Sequence, residues 1–577
     1  GLLLQAPRMG WLLGFSVMAS LGLPGLAGFW GEFPAILSAY QPAEGLNVEL
    51  FRVFMVVAAI GTVFAAGYLL WLLQRVAFGT PTEEFEHEHI HDMHLTDYLA
   101  WAPMILFIVV LGVYPNLIFR VTDAAVIHSL AGLGGNWSMS ASLLAAGTGF
   151  VRPDIDWHAL APELVLLATV VVCLVVDVFT DEESRWTASS FAGIGMLAAM
   201  VPLFTLHARE LDAGVMFGGG YVVDDFSLVL KGLFLLAGYV TVLISTNHIA
   251  EGDYPEGEYY LLLLAAVFGM TVMSSSRDLI TIFVAFEMLS IPTYLLAAWR
   301  KRTQTGIEAG MKYYLMGVFA TGVMLYGMSL IFGGTGSTLI VEIGDQVAGS
   351  FGQKPVAVLG IIFTLVGFAF KVSAVPFQNW APDTYEGAPT PVTAFLSVAS
   401  KSAGFVAMLQ LVFIGFFGRS DVIRPFMFIL AVLTMTVGNV IALRQTNVVR
   451  LFAYSSVAQA GFILAPFAVV GAGSADTSAK VLSSIVLYLL IYTVVNLGAF
   501  AVIITVSRRT RSGELASWGG LFTYAPGLAL AMAVFLFALG GIPPAVGWFA
   551  KFQLFTAVVS AHTALAYATG VVMAVNS

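Results

Sequence analysis

The sequence predicts an all-α polytopic membrane protein, and three observations predict it. Of 577 residues, 59% are hydrophobic and only 10% charged, against roughly 25% charged in soluble domains. Apolar runs of about 20 residues, enough to cross a bilayer, recur from end to end. None alternates polar with apolar as a barrel strand does, so helices must satisfy the backbone inside the hydrocarbon. The rest of the composition narrows the function. A single cysteine, Cys173, excludes a disulfide framework, a cysteine zinc site and an iron–sulfur motif. The net charge of −10 comes without a basic stripe, which argues against nucleic acid. No phosphate-cradling loop or dinucleotide fingerprint occurs. Gly1 leads into an apolar run without a basic n-region, so no signal peptide is expected.

The expected spans are residues 9–38, 51–74, 98–119, 159–180, 188–206, 227–246, 258–275, 278–298, 308–332, 356–377, 390–417, 424–443, 449–470, 480–507, 524–553 and 558–575, about 16 crossings. The longest polar interruption, with GLGGNW, SMSAS and GTGFVRPDIDW, is linker chemistry. It divides the chain into residues 1–120, a linker over 121–157 and residues 158–577. A second polar stretch, from Glu83 to His94, holds His87, His89, His91 and His94. These could bind a divalent metal, but the better reading is a solvated charged loop.

Basic residues set the orientation. Arg300, Lys301 and Arg302 share one loop, Arg444 and Arg450 flank another, and Arg508, Arg509 and Arg511 open a third. Even numbers of crossings separate these loops, which places all three on one face, the cytoplasmic one. The 121–157 linker has the opposite parity and is expected outside.

An internal repeat follows. GLPGLAGFWGEF, from Gly22 to Phe33, aligns without gaps to GIPPAVGWFAKF, from Gly541 to Phe552. Pro24 meets Pro543, Gly28 meets Gly547, and Glu32 falls on Lys551. Two homologous membrane modules therefore meet in this chain.

Few ionisable residues fall within the spans, among them Glu32, Asp177, Lys231, Glu287, Lys312, Lys371, Lys401, Lys480 and Lys551. Each charge near a bilayer centre costs roughly 2.5–3.5 kcal/mol, which is tolerated where it faces a hydrated interior and finds partners. Asp177 and Lys480 lie near span ends and read as snorkelling residues, while Lys231 fits either role. Glu287, in FVAFEMLSIPTYL, is too short to snorkel. Lys371 ends the run GFAFKVSAVPF, and Pro376 breaks that helix one turn later. The lysine and the freed backbone groups are expected to share a polar pocket. Lys401 lies half a span into the next helix, and Lys551 stands two turns after Pro543–Pro544 in a second broken helix. Lys312, four residues after Glu308, sits near a helix start and reads as half interfacial. Broken helices at matching positions of two halves mark an ion-translocating site. Burial lowers a lysine's proton affinity and a neighbouring carboxylate restores it, so shifting Glu287 relative to Lys371 would load and unload a proton.

From about residue 155 onward the chain resembles the subunit N family of the bacterial proton-translocating NADH-quinone oxidoreductase, respiratory complex I. The matching motifs are APELVLL (Ala161 to Leu167), the Glu287 helix, KVSAVPFQNWAPDTYEGAPTPVTAFLSVASK (Lys371 to Lys401), RLFAYSSVAQAGF (Arg450 to Phe462) and GIPPAVGWFAKF. Residues 1 to about 130 resemble the C-terminal end of the sister subunit M, through SLGLPGLAGFWGEF and LGVYPNLIF. The resemblance implies an antiporter-like fold of 14 helices with two inverted five-helix repeats. It implies roles too: Glu287 as carboxylate partner, Lys371 as central lysine, Lys401 as connecting lysine and Lys551 as exit lysine. Lys312 matches a lysine of the sixth helix, and Glu32 the glutamate that subunit M uses in place of lysine. Gln378 stands where many relatives carry histidine. The implied helices upstream of Trp11 and after Ser577 are not in this sequence. The chain is then either a fusion of neighbouring subunits or a reading across a gene boundary.

The function implied is proton translocation coupled to quinone reduction, in a bacterial inner membrane. The resemblance implies no cofactor in this chain. NADH, FMN, iron–sulfur clusters and quinone would belong to partner subunits, membrane and peripheral. The alternative is a subunit of a monovalent cation/proton antiporter of related fold, which needs the same buried lysines.

Overall fold

A computed structural model of the chain describes residues 6–21, 48–78, a few positions between 102 and 110, and 155–179, 186–208, 214–250, 256–300 and 303–577. Glu32, the histidines between Glu83 and His94, and nearly all of the 121–157 stretch lie outside the described residues. The chain divides into two compact units, Gly1–Arg152 and Pro153–Ser577. In the first, α1 (Pro7–Ser20) packs on α2 (Val48–Ala77) through Val17, Leu73 and Ala77.

The second unit is a helical bundle with one small hairpin. Its helices are α3 (Ala161–Phe179), α4 (Trp186–His207), α5 (Asp225–Ala250), α6 (Glu256–Ser275), α7 (Leu279–Ala297), α8 (Gln304–Thr335), α9 (Ile340–Ala348) and α10 (Pro355–Lys371). There follow α11 (Trp380–Gly387), α12 (Thr390–Gly415), α13 (Ser420–Ala442), α14 (Val448–Leu464) and α15 (Ala475–Thr510). The last three are α16 (Pro526–Gly540), α17 (Val546–Val559) and α18 (Ala564–Asn576). Strands β1 (Gly214–Met216) and β2 (Tyr221–Val223) pair antiparallel between α4 and α5. Ten helices among the described residues, one of them in the first unit, are long and apolar enough to cross a membrane. The protein is a multi-pass membrane protein.

Sequence chemistry explains where these helices begin and stop. Asp278 caps α7 by accepting from the Thr281 amide, and Asn447 caps α14 by accepting from the amides of Val449 and Arg450; such caps satisfy otherwise orphaned donors. Gly336, in the left-handed region at φ 70°, ends α8. In lipid, helices gain little from apolarity alone, so close backbone approach through small residues holds them. Gly438 and Gly461 provide it between α13 and α14. A Cβ on Gly438 would stand 2.7 Å from the Ala458 nitrogen, and one on Gly461 2.5 Å from the Met435 nitrogen.

Two expected single crossings are divided. Residues 356–377 end as a helix at Lys371, and the chain turns through a cis Val375–Pro376 bond before α11. The expected crossing 524–553 is two short helices, α16 and α17, separated by Gly541–Ala545 with a cis Pro543–Pro544 bond. Proline supplies no amide hydrogen for the ladder, and apolar composition alone could not show where pairing stops.

The basic loops share one face, as their parity predicts. The amide of Leu515 donates to Thr446 O and that of Val448 to Gly513 O, 2.8 Å each, which ties the loop after α13 to the loop after α15. Arg450, opening α14, bonds Asp383 on α11, which also binds Lys312 in the first turns of α8. On the other side the hairpin meets the loop after α6: Tyr221 bridges Ser276, and Asp278 bridges Leu339. There, burial lowers the Arg277 guanidinium from its ordinary range, while Asp224, 3.0 Å away, pulls it back up.

Candidate functional site

The three lysines that the sequence singles out deep in the bundle are all buried. Lys371 is 0% exposed, Lys401 3% and Lys551 6%, so none snorkels to an interface.

Lys371 is the last residue of α10. Its Nζ donates to Ser290 Oγ on α7 at 3.0 Å and to the Tyr313 hydroxyl on α8 at 2.9 Å. The rings of Phe286, Tyr294 and Tyr313 surround it at 5.4, 5.7 and 5.3 Å, where each ring face attracts a cation. The expected pocket shared with freed backbone groups does not form here. The Trp380 indole donates to Phe370 O at 3.1 Å, and Thr434 Oγ1 accepts from the Val375 amide at 3.0 Å. With those groups taken, side-chain hydroxyls from neighbouring helices receive the lysine.

Glu287 lies one turn before Ser290 on α7 but makes no ion pair among the described residues. Its Oε1 is buried without a hydrogen-bond partner. Carboxylate and lysine therefore share a neighbourhood, with Ser290 between them along the helix, and are not in direct contact. A buried carboxylate oxygen without a partner is costly.

Lys401 follows directly on a π-helical turn, Leu396–Ser400, within α12, a feature frequent at functional sites. Its Nζ donates to Ser456 Oγ on α14 at 2.7 Å and lies 5.8 Å from the Tyr385 ring centre. Lys551, on α17, donates to Gly540 O at 3.2 Å and lies 4.5 Å over the Phe462 ring. Gly540 ends α16, so at this second break the lysine does bind the freed backbone. Helix α14 spans the interval between the two lysines. It presents Ser456 to Lys401 and Phe462 to Lys551, and between them Gln459 Nε2 donates to Leu539 O at 3.0 Å while Gln459 Oε1 accepts from Tyr488.

Lys312 stands apart, half-exposed on the basic face, 2.6 Å from both Glu308 and Asp383. Asp177 and Lys480 are exposed, as snorkelling residues should be. Gln378 Oε1 is buried and unpartnered.

Sequence reasoning missed one buried pair. Lys231, fully buried on α5, is 2.9 Å from Glu163 Oε1 on α3 and 3.2 Å from the Tyr221 hydroxyl. Glu163 reads as a helix-start carboxylate, and the only hint was a lysine with no stated partner. Asp383 was also passed over, although it lies within the longest motif and holds two cations.

Comparison with known proteins bears on this geometry. Residues 276–577 match the transmembrane family described as NADH:quinone oxidoreductase/Mrp antiporter. NADH-quinone oxidoreductase subunit N of Trichlorobacter lovleyi is 41% identical over 411 residues, covering 70% of this chain and 82% of that protein. The chain belongs to this family. Respiratory complex I from Thermus thermophilus with bound aureothin contains a chain similar at TM-score 0.58 and 30% identity, over 72% of this chain and 87% of that one. The Mrp complex from Dietzia sp. DQ12-45-1b contains one similar at TM-score 0.64 and 22% identity, over 73% and 78%, a likeness of fold. The family match takes in Glu287, Lys312, Lys371, Lys401 and Lys551.

Proposed function

We propose that the chain is a proton-translocating membrane subunit of an NADH-quinone oxidoreductase, of the subunit N kind, in a bacterial inner membrane. The observation that carries the reading is the row of buried cations Lys371, Lys401 and Lys551, each held by neutral partners. Neutral partners leave each of these buried lysines without a counter-charge of its own, so each is exposed to a charge change nearby. Glu287 is the carboxylate placed to supply that change. Electron transfer from NADH through FMN and iron–sulfur clusters to quinone is assigned to partner subunits, and this chain is assigned no cofactor. Residues 1–120 are assigned to the tail of a subunit M-like module, with Glu32 in the place of Lys551, and residues 121–157 to an external linker. The mass of the mature polypeptide tests that fusion.

Glu287→Gln or Lys371→Met, made in the assembled complex, should lower proton pumping and coupled quinone reduction together. Unchanged pumping in both variants would sink the reading. The second reading, a cation/proton antiporter subunit, draws on the fold likeness to the Mrp complex. Co-purification with flavin- and iron–sulfur-bearing subunits favours the first reading, and their absence the second.

A further inference from the structure

Glu163 on α3 and Lys231 on α5 form a buried ion pair that the row of lysines does not use. Such a pair is weak evidence for stability, because well-packed apolar residues often replace it at little cost. An ionisable residue inside a span is itself costly and points to a function. What the pair touches indicates which.

The pair holds the hairpin, and the hairpin holds α7. Lys231 Nζ, 2.9 Å from Glu163, also donates to the Tyr221 hydroxyl at 3.2 Å and lies 5.2 Å from the centre of that ring. Tyr221 opens β2, and its backbone bridges Ser276. The Arg277 amide donates to Gly220 O at 2.8 Å, and the Arg277 guanidinium binds Asp224 at 3.0 Å. Residues 276 and 277 are thus strapped to the hairpin, and Asp278, the cap of α7, follows directly. On the other flank the Leu279 amide donates to Thr338 O at 2.8 Å, and the Ile340 amide to Arg277 O at 3.0 Å. Helix α7 is therefore clamped at its end away from the basic loops. It carries Glu287 and Ser290 about 14 and 18 Å beyond the cap, at 1.5 Å per residue. A helix passes an axial shift at its end to every residue along it, and Ser290 Oγ accepts from Lys371 at 3.0 Å.

We propose that Lys231, with Glu163 as its counter-charge, is a positioning residue for the central lysine. Through Tyr221 it fixes the hairpin, the hairpin fixes the capped end of α7, and α7 presents Ser290 to Lys371 with Glu287 one turn away. No proton passes along this route; only position does. Both residues of the pair lie outside 276–577, the stretch that matches the family, so the control comes from the part of the bundle that precedes it. The inference rests on the proposed function and adds to it a remote pair that sets the geometry of its centre.

The test uses the assembled complex in inverted membrane vesicles, with Lys371→Met as the reference for the underlying reading. Tyr221→Phe removes the hydroxyl and leaves the ion pair intact, so no charge is stranded. It should assemble normally and pump at least twofold more slowly. Ser290→Ala should also slow pumping at least twofold. Distant residues normally act independently, so that their effects multiply. A shared route through α7 instead predicts that the two substitutions together pump no more slowly than Ser290→Ala alone. The charge-balanced variant Glu163→Leu with Lys231→Met should behave as Tyr221→Phe does, and stands in for it if Tyr221→Phe does not assemble. Full pumping by assembled Tyr221→Phe or by Ser290→Ala, or effects that multiply, overturns the positioning role. So does failure of both Tyr221→Phe and the charge-balanced variant to assemble, which would make the pair structural. If Lys371→Met stops pumping in that case, only the positioning role falls. If Lys371→Met pumps normally, the proposed function itself fails.

Discussion

Lys551 donates a hydrogen bond to Gly540 O, 3.2 Å away across the break between α16 and α17. Lys371, at the other break, leaves its freed backbone to Trp380 and Thr434 and binds hydroxyls instead. Two lysines that look equivalent in sequence are thus anchored differently, one to the main chain of its own broken helix and one to side chains of two neighbours.

That difference separates their variants. Lys551→Met deprives the Gly540 carbonyl, exposed at the end of α16, of its charged donor, a hydrogen bond worth about 1.5–3 kcal/mol. Lys371→Met leaves only hydroxyls, which rotate to other acceptors. Both should stop pumping, but the thermal midpoint of the purified complex should fall further for Lys551→Met.

Tyr313→Phe keeps the stack on Trp380 and removes only the hydroxyl, which accepts from Lys371 and also lies 3.3 Å from Thr293 Oγ1. One lost hydrogen bond to a charged group amounts to about 1.5–3 kcal/mol. Assembly should be normal and pumping slower, measured as the initial rate of vesicle acidification. An unaltered rate would mean that the hydroxyl does not control the lysine.

The buried pair Glu163–Lys231 gives a stability prediction. Removing either charge strands the other, at about 3–5 kcal/mol, whereas replacing both with apolar residues is often close to neutral. Glu163→Leu or Lys231→Met alone should reduce the amount of assembled complex on a native gel, and the double variant should restore it.

Gly461→Ala puts a methyl against the Met435 backbone and should force α13 off α14, with overpacking worth about 1–3 kcal/mol. Gly322→Ala meets nothing within 4 Å and should be neutral or stabilising by up to about 1 kcal/mol, since alanine favours helix. Comparing thermal midpoints of the two variants checks the contact.

What the sequence makes legible here is whatever is rare. Lys371 with Pro376, and Lys551 with Pro543, stand out because charge and proline are both scarce in apolar spans, and the structure buries both lysines at breaks. The facing of each helix is not legible. With lipid on one side and packed helices on the other, apolar residues surround each axis and the 3.6-residue stripe that orients soluble helices fades. Glu163 and Lys231, 68 positions apart, could not be paired for that reason. Asp383 was hidden differently: it reads as ordinary loop polarity until α8 and α14 bring Lys312 and Arg450 to it.

The π-helical turn before Lys401 has a consequence of its own. Such a turn carries one residue more than an α-helical turn, so α12 holds a surplus position just ahead of its lysine. Closing that turn into ordinary pairing with every residue kept would swing everything on one side by about 100° relative to the other, carrying Lys401 away from Ser456. Deleting one residue from 396–400 would instead close the turn and leave that facing unchanged. For this helix the number of residues matters as much as their kind.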